Sequence, residues 1–165
     1  MSLLRAREAV MRCFRPSLRQ YEITEQQWRV LRALNSVPSL EVTDLARATF
    51  LLAPSLSRIL VDLEARHLIT RGADQRDLRR AIISISPAGA SLIEMVTPVS
   101  EAIYRDITSR FGDEKLATLQ ALLRELEDVA SAVAPHDESA GKPPPPGETT
   151  RKKRRIPLKR RRSAT

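Results

Sequence analysis

Apolar residues recur every three or four positions through most of the first 134 residues, which is the spacing of amphipathic helices. The segments with this pattern are residues 3–20, 24–35, 42–49, 54–67, 87–111 and 114–133. Local signals support their boundaries, because TEQQ at 24–27 is a capping box and Pro54 suits the first turn of a helix. The pattern therefore predicts a mainly α-helical fold.

The hydrophobic period changes after Leu68. The stretches ITRGA and RAIISIS alternate apolar and polar residues, as strands do, and they flank the charged segment DQRDLRR at residues 74–80. We predict a β-hairpin whose tip carries three arginines. A tip needs polar residues, but a turn by itself does not require three arginines.

Two short helices followed by a hairpin suggest a DNA-binding arrangement. The predicted helices at 42–49 and 54–67 are joined by a tight turn, as in a helix-turn-helix whose second helix enters the major groove. The first turn of that helix carries small or hydrogen-bonding residues, namely Pro54, Ser55, Ser57 and Arg58. Short side chains let the backbone approach DNA, and arginine is the commonest reader of guanine. The plainer alternative is a surface helix with an ordinary N-terminal turn.

The arginines of the hairpin fit the same interpretation. Arginine prefers the narrow minor groove, where the negative potential of DNA is deepest. A hairpin beside a groove-inserted helix places Arg76 at the flanking minor groove, while Asp77 pairs with Arg79 and Arg80 meets phosphate. The alternative is a solvated turn whose charges pair with one another.

The net charge of +8 is concentrated in residues 135–165, which hold 10 Lys/Arg against 3 Asp/Glu, whereas residues 1–134 hold 18 against 17. This segment joins a Pro-rich linker to the run RKKRRIPLKRRR, a composition typical of a disordered tail. A cationic arm without aromatic residues adds nonspecific affinity for phosphates. A nuclear-import signal and binding to RNA or to an anionic membrane are other interpretations of the run.

The composition excludes several classes of function. The chain has a single cysteine, Cys13, so no internal disulfide can form. One cysteine and two histidines in the whole chain are too few for a His/Cys zinc site. No apolar run approaches the roughly 18 residues of a membrane helix, and the N-terminus lacks the features of a signal peptide. No Ser/His/Asp set, phosphate loop or metal cluster is present. We therefore expect a soluble cytoplasmic protein that is not an enzyme and has no cofactor, metal or membrane partner.

Several of these stretches together resemble the MarR-type winged helix-turn-helix transcription regulators. The resemblance runs from about Leu3 to Val133 and is carried by TEQQWRVLRAL, DLA, PSLSRILVDLEARHLI and, above all, DQRDLRRAIISISPAG. The last stretch matches the family's D-x-R-D-x-R wing, the strand after it and the S/T-x-x-G start of the next helix. Within the family, LLRAREAVMRCFRP and LLAPSLSRIL are most similar to regulators of homoprotocatechuate (hydroxyphenylacetate) degradation operons.

The resemblance implies a fold class and a domain organisation. The fold is a mainly α winged helix-turn-helix with a two-stranded β wing and terminal helices that form a dimerisation region. Residues 1–134 make the folded domain, with dimerisation helices at about 1–21 and 87–134 and a DNA-binding lobe at about 24–86, while residues 135–165 form the tail. Such a homodimer binds palindromic double-stranded operator DNA with half-sites about one helical turn apart.

The resemblance also implies roles for single residues. The residues that the family's motifs place against DNA are Pro54, Ser55, Ser57 and Arg58 in the major groove, with Arg76, Arg79 and Arg80 in the wing. Asp74 and Asp77 give the wing its shape. His67 stands where the family usually has a glycine, so we expect a left-handed turn there, which histidine tolerates better than most residues. We interpret His67 as a cap or surface residue and not as a ligand.

Family members commonly release DNA when a small phenolic or aromatic acid occupies a cleft beneath the DNA-binding lobe, and repression is their commoner outcome. In this chain the cleft is expected among the first, second and fifth helices. An aromatic carboxylate requires an arginine fork and an apolar wall. The candidates are Arg15 and Trp28, with Arg12 as a third. The alternatives are that Trp28 is a plain core residue and Arg15 a surface residue.

Two rival functions stay open. The chain is a nonspecific nucleoid or architectural protein if the tail supplies its main DNA contact. It is a redox sensor if Cys13 is reactive, because one MarR branch senses peroxide through a lone cysteine. In that branch the reactive cysteine lies well upstream of the position of Cys13, so we expect Cys13 to be a buried, unreactive thiol.

Overall fold

The computed structural model describes residues 1–73 and 80–133. The elements in chain order are α1 (Ser2–Gln20), α2 (Glu25–Asn35), β1 (Leu40–Glu41), α3 (Val42–Thr49), α4 (Ala53–Ala65), β2 (Ile69–Ala73), β3 (Ala81–Ile85), α5 (Pro87–Phe111) and α6 (Asp113–Val133). The six predicted helices and both hairpin strands are confirmed, with ends that differ by at most a few residues. Among the described residues, no helix combines the length and apolar character that crossing a bilayer demands.

The chain divides into two compact units, Met1–Gln120 and Ala121–Thr165. The described part of the second unit is Ala121–Val133, the C-terminal portion of α6. No residue of α6 is buried. Its apolar stripe is therefore exposed, with Leu119, Leu122, Leu123, Leu126, Val129 and Val133 at its surface.

Helix α2 provides the centre of the core in the first unit. Its capping box forms as predicted: the amide of Gln27 donates to Thr24 Oγ1 (3.2 Å), and the amide of Thr24 donates to Gln27 Oε1 (2.7 Å). The side chains of Val30, Leu31 and Leu34 on the following turns are fully buried. Helices α1, α3, α4 and α5 and strand β3 all contact α2. The buried face of α2 therefore positions the rest of the unit.

Helix α1 continues through Pro16. Proline inside a helix removes one backbone hydrogen bond and usually breaks or kinks the helix. The helix nevertheless extends to Gln20, and the residues just after the proline, Ser17 and Leu18, are buried. Tertiary packing of this last turn compensates for the missing hydrogen bond.

The sheet has three antiparallel strands in the order β1-β3-β2, one more than the predicted hairpin. Strand β3 is central: Ile85 pairs with Ile69 of β2, and Ile83 pairs with Leu40 of β1. The side chain of Ile83 is fully buried. Strand β1 has only two residues, which is too short for an alternating pattern to reveal it.

The turn after α4 has the left-handed backbone expected at His67, whose φ is 56°. The amide of His67 donates to the carbonyl of Glu64, and that of Leu68 donates to the carbonyl of Leu63, both at 2.9 Å. These bonds satisfy carbonyls at the end of α4. The expected turn is therefore present without glycine.

The start of α5 depends on Ser86 and Gly89. Ser86 Oγ accepts from the Gly89 amide (3.0 Å) and donates to the carbonyl of His67 (2.6 Å). A Cβ atom on Gly89 would lie 2.1 Å from the carbonyl oxygen of Leu68 and 2.9 Å from Ile85 Cγ1. Only glycine allows the helix to approach the strand so closely.

We expect Gly89→Ala to lower the free energy of unfolding by about 1–3 kcal/mol, because backbone must move to admit the methyl group. The matched control is Gly72→Ala, since nothing lies within 4 Å of the corresponding Cβ position. Urea denaturation at one protein concentration measures both variants. Equal effects in the two variants would contradict the close approach at Gly89.

Candidate nucleic-acid interface and ligand cavity

Helices α3 and α4 form the predicted helix-turn-helix. The turn between them is closed by Phe50, which has a left-handed backbone (φ 51°), and by a hydrogen bond from the Leu51 amide to the Ala46 carbonyl (3.2 Å). Leu45 of α3 and Leu56 of α4 are fully buried and fix the two helices to the core. The face of α4 opposite Leu56 therefore points away from the core.

The outward face of α4 carries the residues predicted for the major groove. Pro54, Ser55, Ser57 and Arg58 are all exposed. The hydroxyl of Ser57 donates to the Ala53 carbonyl (2.9 Å) and keeps its acceptor capacity. Across residues 1–73 and 80–133, no carboxylate pairs with Arg58. All five N–H donors of its guanidinium are thus available to a ligand.

Two apolar residues beside this face escaped the sequence reasoning. Phe50 is 80% exposed and Leu52 is 78% exposed. In the run FLLAP they look like core positions, and only the backbone of the turn shows that they point outward. Exposed apolar side chains at a major-groove helix can contact the methyl group of thymine.

The wing is described only at its base. Asp74, Arg76, Asp77 and Arg79 lie outside the described residues, so their predicted roles stay predictions. Arg80 is described, and its guanidinium donates to Glu41 Oε1 at 2.8 Å. This ion pair ties β3 to β1, and the phosphate contact expected of Arg80 also stays a prediction.

A cavity of about 680 Å³ lies among α1, α2 and α5. Its walls combine cationic, aromatic and hydroxyl groups. The lining residues used below are Arg7, Phe14, Trp28, Arg29, Arg32, Thr97, Ser100 and Tyr104. This is the location expected for the ligand cleft, and the predicted Trp28 lines it. The rings of Phe14 and Tyr104 contact each other at a tilt of 53°, with centroids 4.7 Å apart, and add an aromatic wall.

The arginines of the cavity differ from the predicted ones. Arg32 lies over the Trp28 ring, 5.8 Å from its centroid. No carboxylate pairs with Arg32 anywhere in the described chain. A guanidinium beside an aromatic wall, without an anionic partner, suits a planar carboxylate. Arg32 is one turn after Trp28 on α2, a spacing that the sequence already displayed.

Arg15 and Arg12 lie elsewhere. Arg15 lines a separate cleft between α1 and the start of α2, where its guanidinium donates to Glu8 (2.8 Å) and Glu25 (3.3 Å). Arg12 is exposed and lines neither cavity. The structure therefore does not bring Arg15 and Trp28 to one cavity.

The hydrogen bonds from Arg15 hold the pKa of Glu8 below its ordinary value. A carboxylate with a depressed folded-state pKa contributes stability above its unfolded pKa, and the contribution is lost as the pH falls through the folded value. This pair links residues two turns apart on α1 and is screened by solvent.

Cys13 is exposed, so the expectation of a buried thiol was wrong. The buried residues of α1 nearest to it are Phe14, Ser17 and Leu18. Cys13 is one residue, and hence about 100° of helix rotation, away from Phe14. It therefore points to solvent, and its Sγ contacts the Ala9 carbonyl at 3.6 Å.

Glu25 gathers three guanidiniums at the entrance of the cavity. Its carboxylate pairs with Arg7, with Arg15 (3.3 Å) and with Arg29 (3.1 Å), and its side chain is only 15% exposed. Glu25 also lies in the first turn of α2, where the helix dipole favours an anion. This cluster joins α1 to α2 and compensates part of the positive charge around the cavity.

Arg29 connects the cavity to the helix-turn-helix. Its Nη1 donates to the carbonyl of Thr49 at 2.9 Å, while its Nη2 donates to Glu25 at 3.1 Å. Thr49 is the last residue of α3 and is fully buried. One side chain therefore lines the cavity and caps the helix that precedes the turn before α4.

Comparison with known proteins decides the family. A sequence profile of the MarR family matches residues 21–80. The homoprotocatechuate degradative operon repressor of Escherichia coli is 39% identical over 125 residues, which are 76% of this chain and 84% of that repressor. This chain belongs to the MarR family. The assignment made from the sequence motifs is confirmed.

Other members of the MarR family are similarly close. The HTH-type transcriptional regulator FarR of Neisseria gonorrhoeae is 38% identical over 133 residues, 81% of this chain and 91% of FarR. Among solved structures, NadR in complex with 4-hydroxyphenylacetate matches with a TM-score of 0.72 and 36% identity, covering 81% of this chain and 97% of the NadR chain.

The MarR-family relatives are named as transcriptional regulators, a class that is generally not enzymatic. Within the part of the chain that the structure describes, no three His, Cys, Asp or Glu side chains cluster as metal ligands do. The geometry described above comprises an exposed face on α4 and, separate from it, a cavity among α1, α2 and α5.

We expect Glu25→Gln to lower the free energy of unfolding by about 1–2 kcal/mol, because three guanidiniums lose their shared anion and repel one another. Glu8→Gln is the control, since it removes one exposed carboxylate from a single arginine. Denaturation at low ionic strength measures the difference, which salt should reduce. If Glu25→Gln were as stable as Glu8→Gln, the cluster would not be a structural junction.

Proposed function

We propose that this MarR-family protein is a homodimeric repressor that binds operator DNA and releases it when an aromatic acid fills the cavity. The observation that carries the DNA-binding half is the outward face of α4, with exposed Ser55 and Ser57 and an unpaired Arg58 among the described residues. The name of the 39%-identical operon repressor supports repression. A DNA-binding regulator acts where the DNA lies, so we assign it to the cytoplasm.

The proposed dimer rests on apolar surface at both ends of the folded region. Leu3 and Leu4 of α1 are 57% and 61% exposed, and α6 has an apolar stripe with no buried residue. Contiguous exposed apolar residues of this kind mark protein interfaces. A two-fold dimer places two α4 helices for a palindromic site with half-sites about one helical turn apart.

The ligand half of the proposal rests on the cavity chemistry. Arg32 and Trp28 supply a cation and an aromatic face, and Phe14 with Tyr104 supplies a second aromatic wall. A cavity of about 680 Å³ holds a single-ring acid with room to spare. NadR, which is 36% identical, was solved with 4-hydroxyphenylacetate. We therefore propose phenolic derivatives of phenylacetate as the ligand class.

Release of DNA is proposed to run through Arg29. In the ligand-free protein its guanidinium holds the Thr49 carbonyl and hence the turn that orients α4. A carboxylate entering the cavity offers Arg29 a charged acceptor, which makes a stronger hydrogen bond than a neutral carbonyl. Loss of the Arg29–Thr49 bond would loosen the turn and lower the affinity for DNA.

The nucleoid-protein alternative assigns the main DNA contact to the basic tail. The tail has nine cations in twelve residues. If all of them engage duplex DNA, the slope of log affinity against log salt concentration becomes steeper by up to roughly 8. Base readout by α4 does not require it. The two functions therefore differ in what remains after the tail is removed.

Arg58→Ala is expected to weaken operator binding about 10- to 100-fold and to relax sequence preference, because a bidentate base contact contributes about 1–3 kcal/mol. The control is Arg110→Ala, which removes the same charge from an exposed ion pair with Asp106 at the end of α5. Fluorescence anisotropy with DNA from upstream of the chain's own gene and neighbouring genes measures both variants.

A version truncated at residue 134 should retain the preference of the wild-type chain for its operator sequence. It should also release the operator when 4-hydroxyphenylacetate or homoprotocatechuate is added. Its affinity should depend less on salt than that of the full chain. Loss of all site preference on truncation would establish the nucleoid-protein alternative instead.

Without acid, Arg29→Gln is expected to lower operator affinity about three- to tenfold. The further decrease in affinity that the acid causes should be smaller in this variant than in the wild type, since coupling free energies between sites are typically about 1–3 kcal/mol. Binding of the acid itself should persist through Arg32. The measurement is operator affinity at increasing acid concentration, beside direct calorimetry of the acid. If the acid lowered the operator affinity of Arg29→Gln by as large a factor as it does for the wild type, the proposed route would be refuted.

A further inference from the structure

Ser100 is the one buried hydroxyl without a partner among the described residues. Its side chain is 2% exposed, and its Oγ makes no hydrogen bond with any atom of residues 1–73 and 80–133. Ser100 also lines the cavity. Buried polar atoms are nearly always hydrogen-bonded, and each exception calls for an explanation.

Other hydroxyls on α5 show what Ser100 does not do. Thr97 Oγ1 donates to the Ile93 carbonyl at 2.7 Å, and Ser109 Oγ donates to the Asp106 carbonyl at 3.0 Å. Such bonds to the preceding turn are the usual way for a helical hydroxyl to be satisfied. Because Ser100 makes none, its hydroxyl is uncommitted. Because Ser100 also lines the cavity, this hydroxyl is available to a ligand held there.

The position of Ser100 relative to the arginines defines what it can recognise. The guanidiniums of the cavity belong to α1 and α2, whereas Ser100 lies on α5 between Thr97 and Tyr104. Residues three and four apart share one face of a helix, so these three lie together on the α5 wall, to which Ile93 and Glu101 also contribute. An acid held by its carboxylate on the α2 side presents its ring and ring substituents to other walls.

We propose that Ser100 is a specificity-determining residue that recognises a ring hydroxyl of the aromatic acid. This inference rests on the proposed function, because it needs the acid to occupy the cavity. A phenolic hydroxyl both donates and accepts, as serine does, so the two groups satisfy each other. A ring hydroxyl that is buried without a partner is disfavoured, and Ser100 removes that penalty.

The test compares four acids that differ only in ring hydroxyls: phenylacetate, 3-hydroxyphenylacetate, 4-hydroxyphenylacetate and 3,4-dihydroxyphenylacetate. Calorimetry measures the affinity of each acid for the full-length wild-type chain and for Ser100→Ala. The matched control is Thr97→Val, which removes a hydroxyl of the same wall that is already bonded to a backbone carbonyl. A thermal melt of each variant without ligand monitors folding.

Ser100→Ala should bind phenylacetate within about twofold of wild type and bind at least one hydroxylated acid about three- to tenfold more weakly, the size of one net hydrogen bond. Its melting temperature should equal or exceed that of wild type, since the hydroxyl stabilises nothing in the ligand-free fold. Thr97→Val should leave the ratio between hydroxylated and plain acids unchanged.

Two results would overturn the inference while leaving the proposed function in place. One is an equal loss of affinity for all four acids in Ser100→Ala, and the other is no loss for any of them. A wild-type chain that binds none of the acids yet binds its operator would overturn the ligand half of the proposed function and this inference with it.

Discussion

The packing of α2 in the centre of the core is the constraint on which the rest of the structure depends. Its buried face, Val30, Leu31 and Leu34, holds the first unit together. The same helix turns Trp28 and Arg32 toward the cavity. A rigid helix that is core on one side and ligand wall on the other cannot shift at one surface without displacing the other. Structural stability and ligand sensing therefore share one element.

The sequence predicted the elements and the location of the cavity well, but it predicted the arginines of the cavity poorly, for physical reasons. Helices, capping box and hairpin depend on local spacing and local hydrogen bonds, which the printed residues display. The cavity depends on how α1, α2 and α5 rotate against one another, and no local pattern encodes that. The sequence suggested that Arg15 and Trp28 share one site. In the structure Phe14 lines the cavity with Trp28, whereas Arg15, the next residue along α1, lines a separate cleft. The third strand, β1, was missed because two residues show no period.

A carboxylate that enters the cavity would compete with Glu25 for the arginines around it. In the ligand-free protein Glu25 is the shared anion for Arg7, Arg15 and Arg29, which lowers the energy of holding several guanidiniums close together. Among residues 1–73 and 80–133, no carboxylate pairs with Arg32, whose guanidinium lies over the Trp28 ring. An incoming carboxylate therefore meets one uncommitted cation and others that it must share with Glu25. Affinity is moderated by this sharing, which suits a site that must empty as well as fill.

The placement of Trp28 has a practical consequence. It is the only tryptophan of the chain, it lines the cavity, and its ring lies under the guanidinium of Arg32. Its emission spectrum therefore comes from a single place, and that place is the cavity proposed to bind the ligand. Occupancy of the cavity alters the polarity and the charge around one indole, without interference from a second. The protein carries its own optical reporter, and it needs no label for its filling and emptying to be followed in real time.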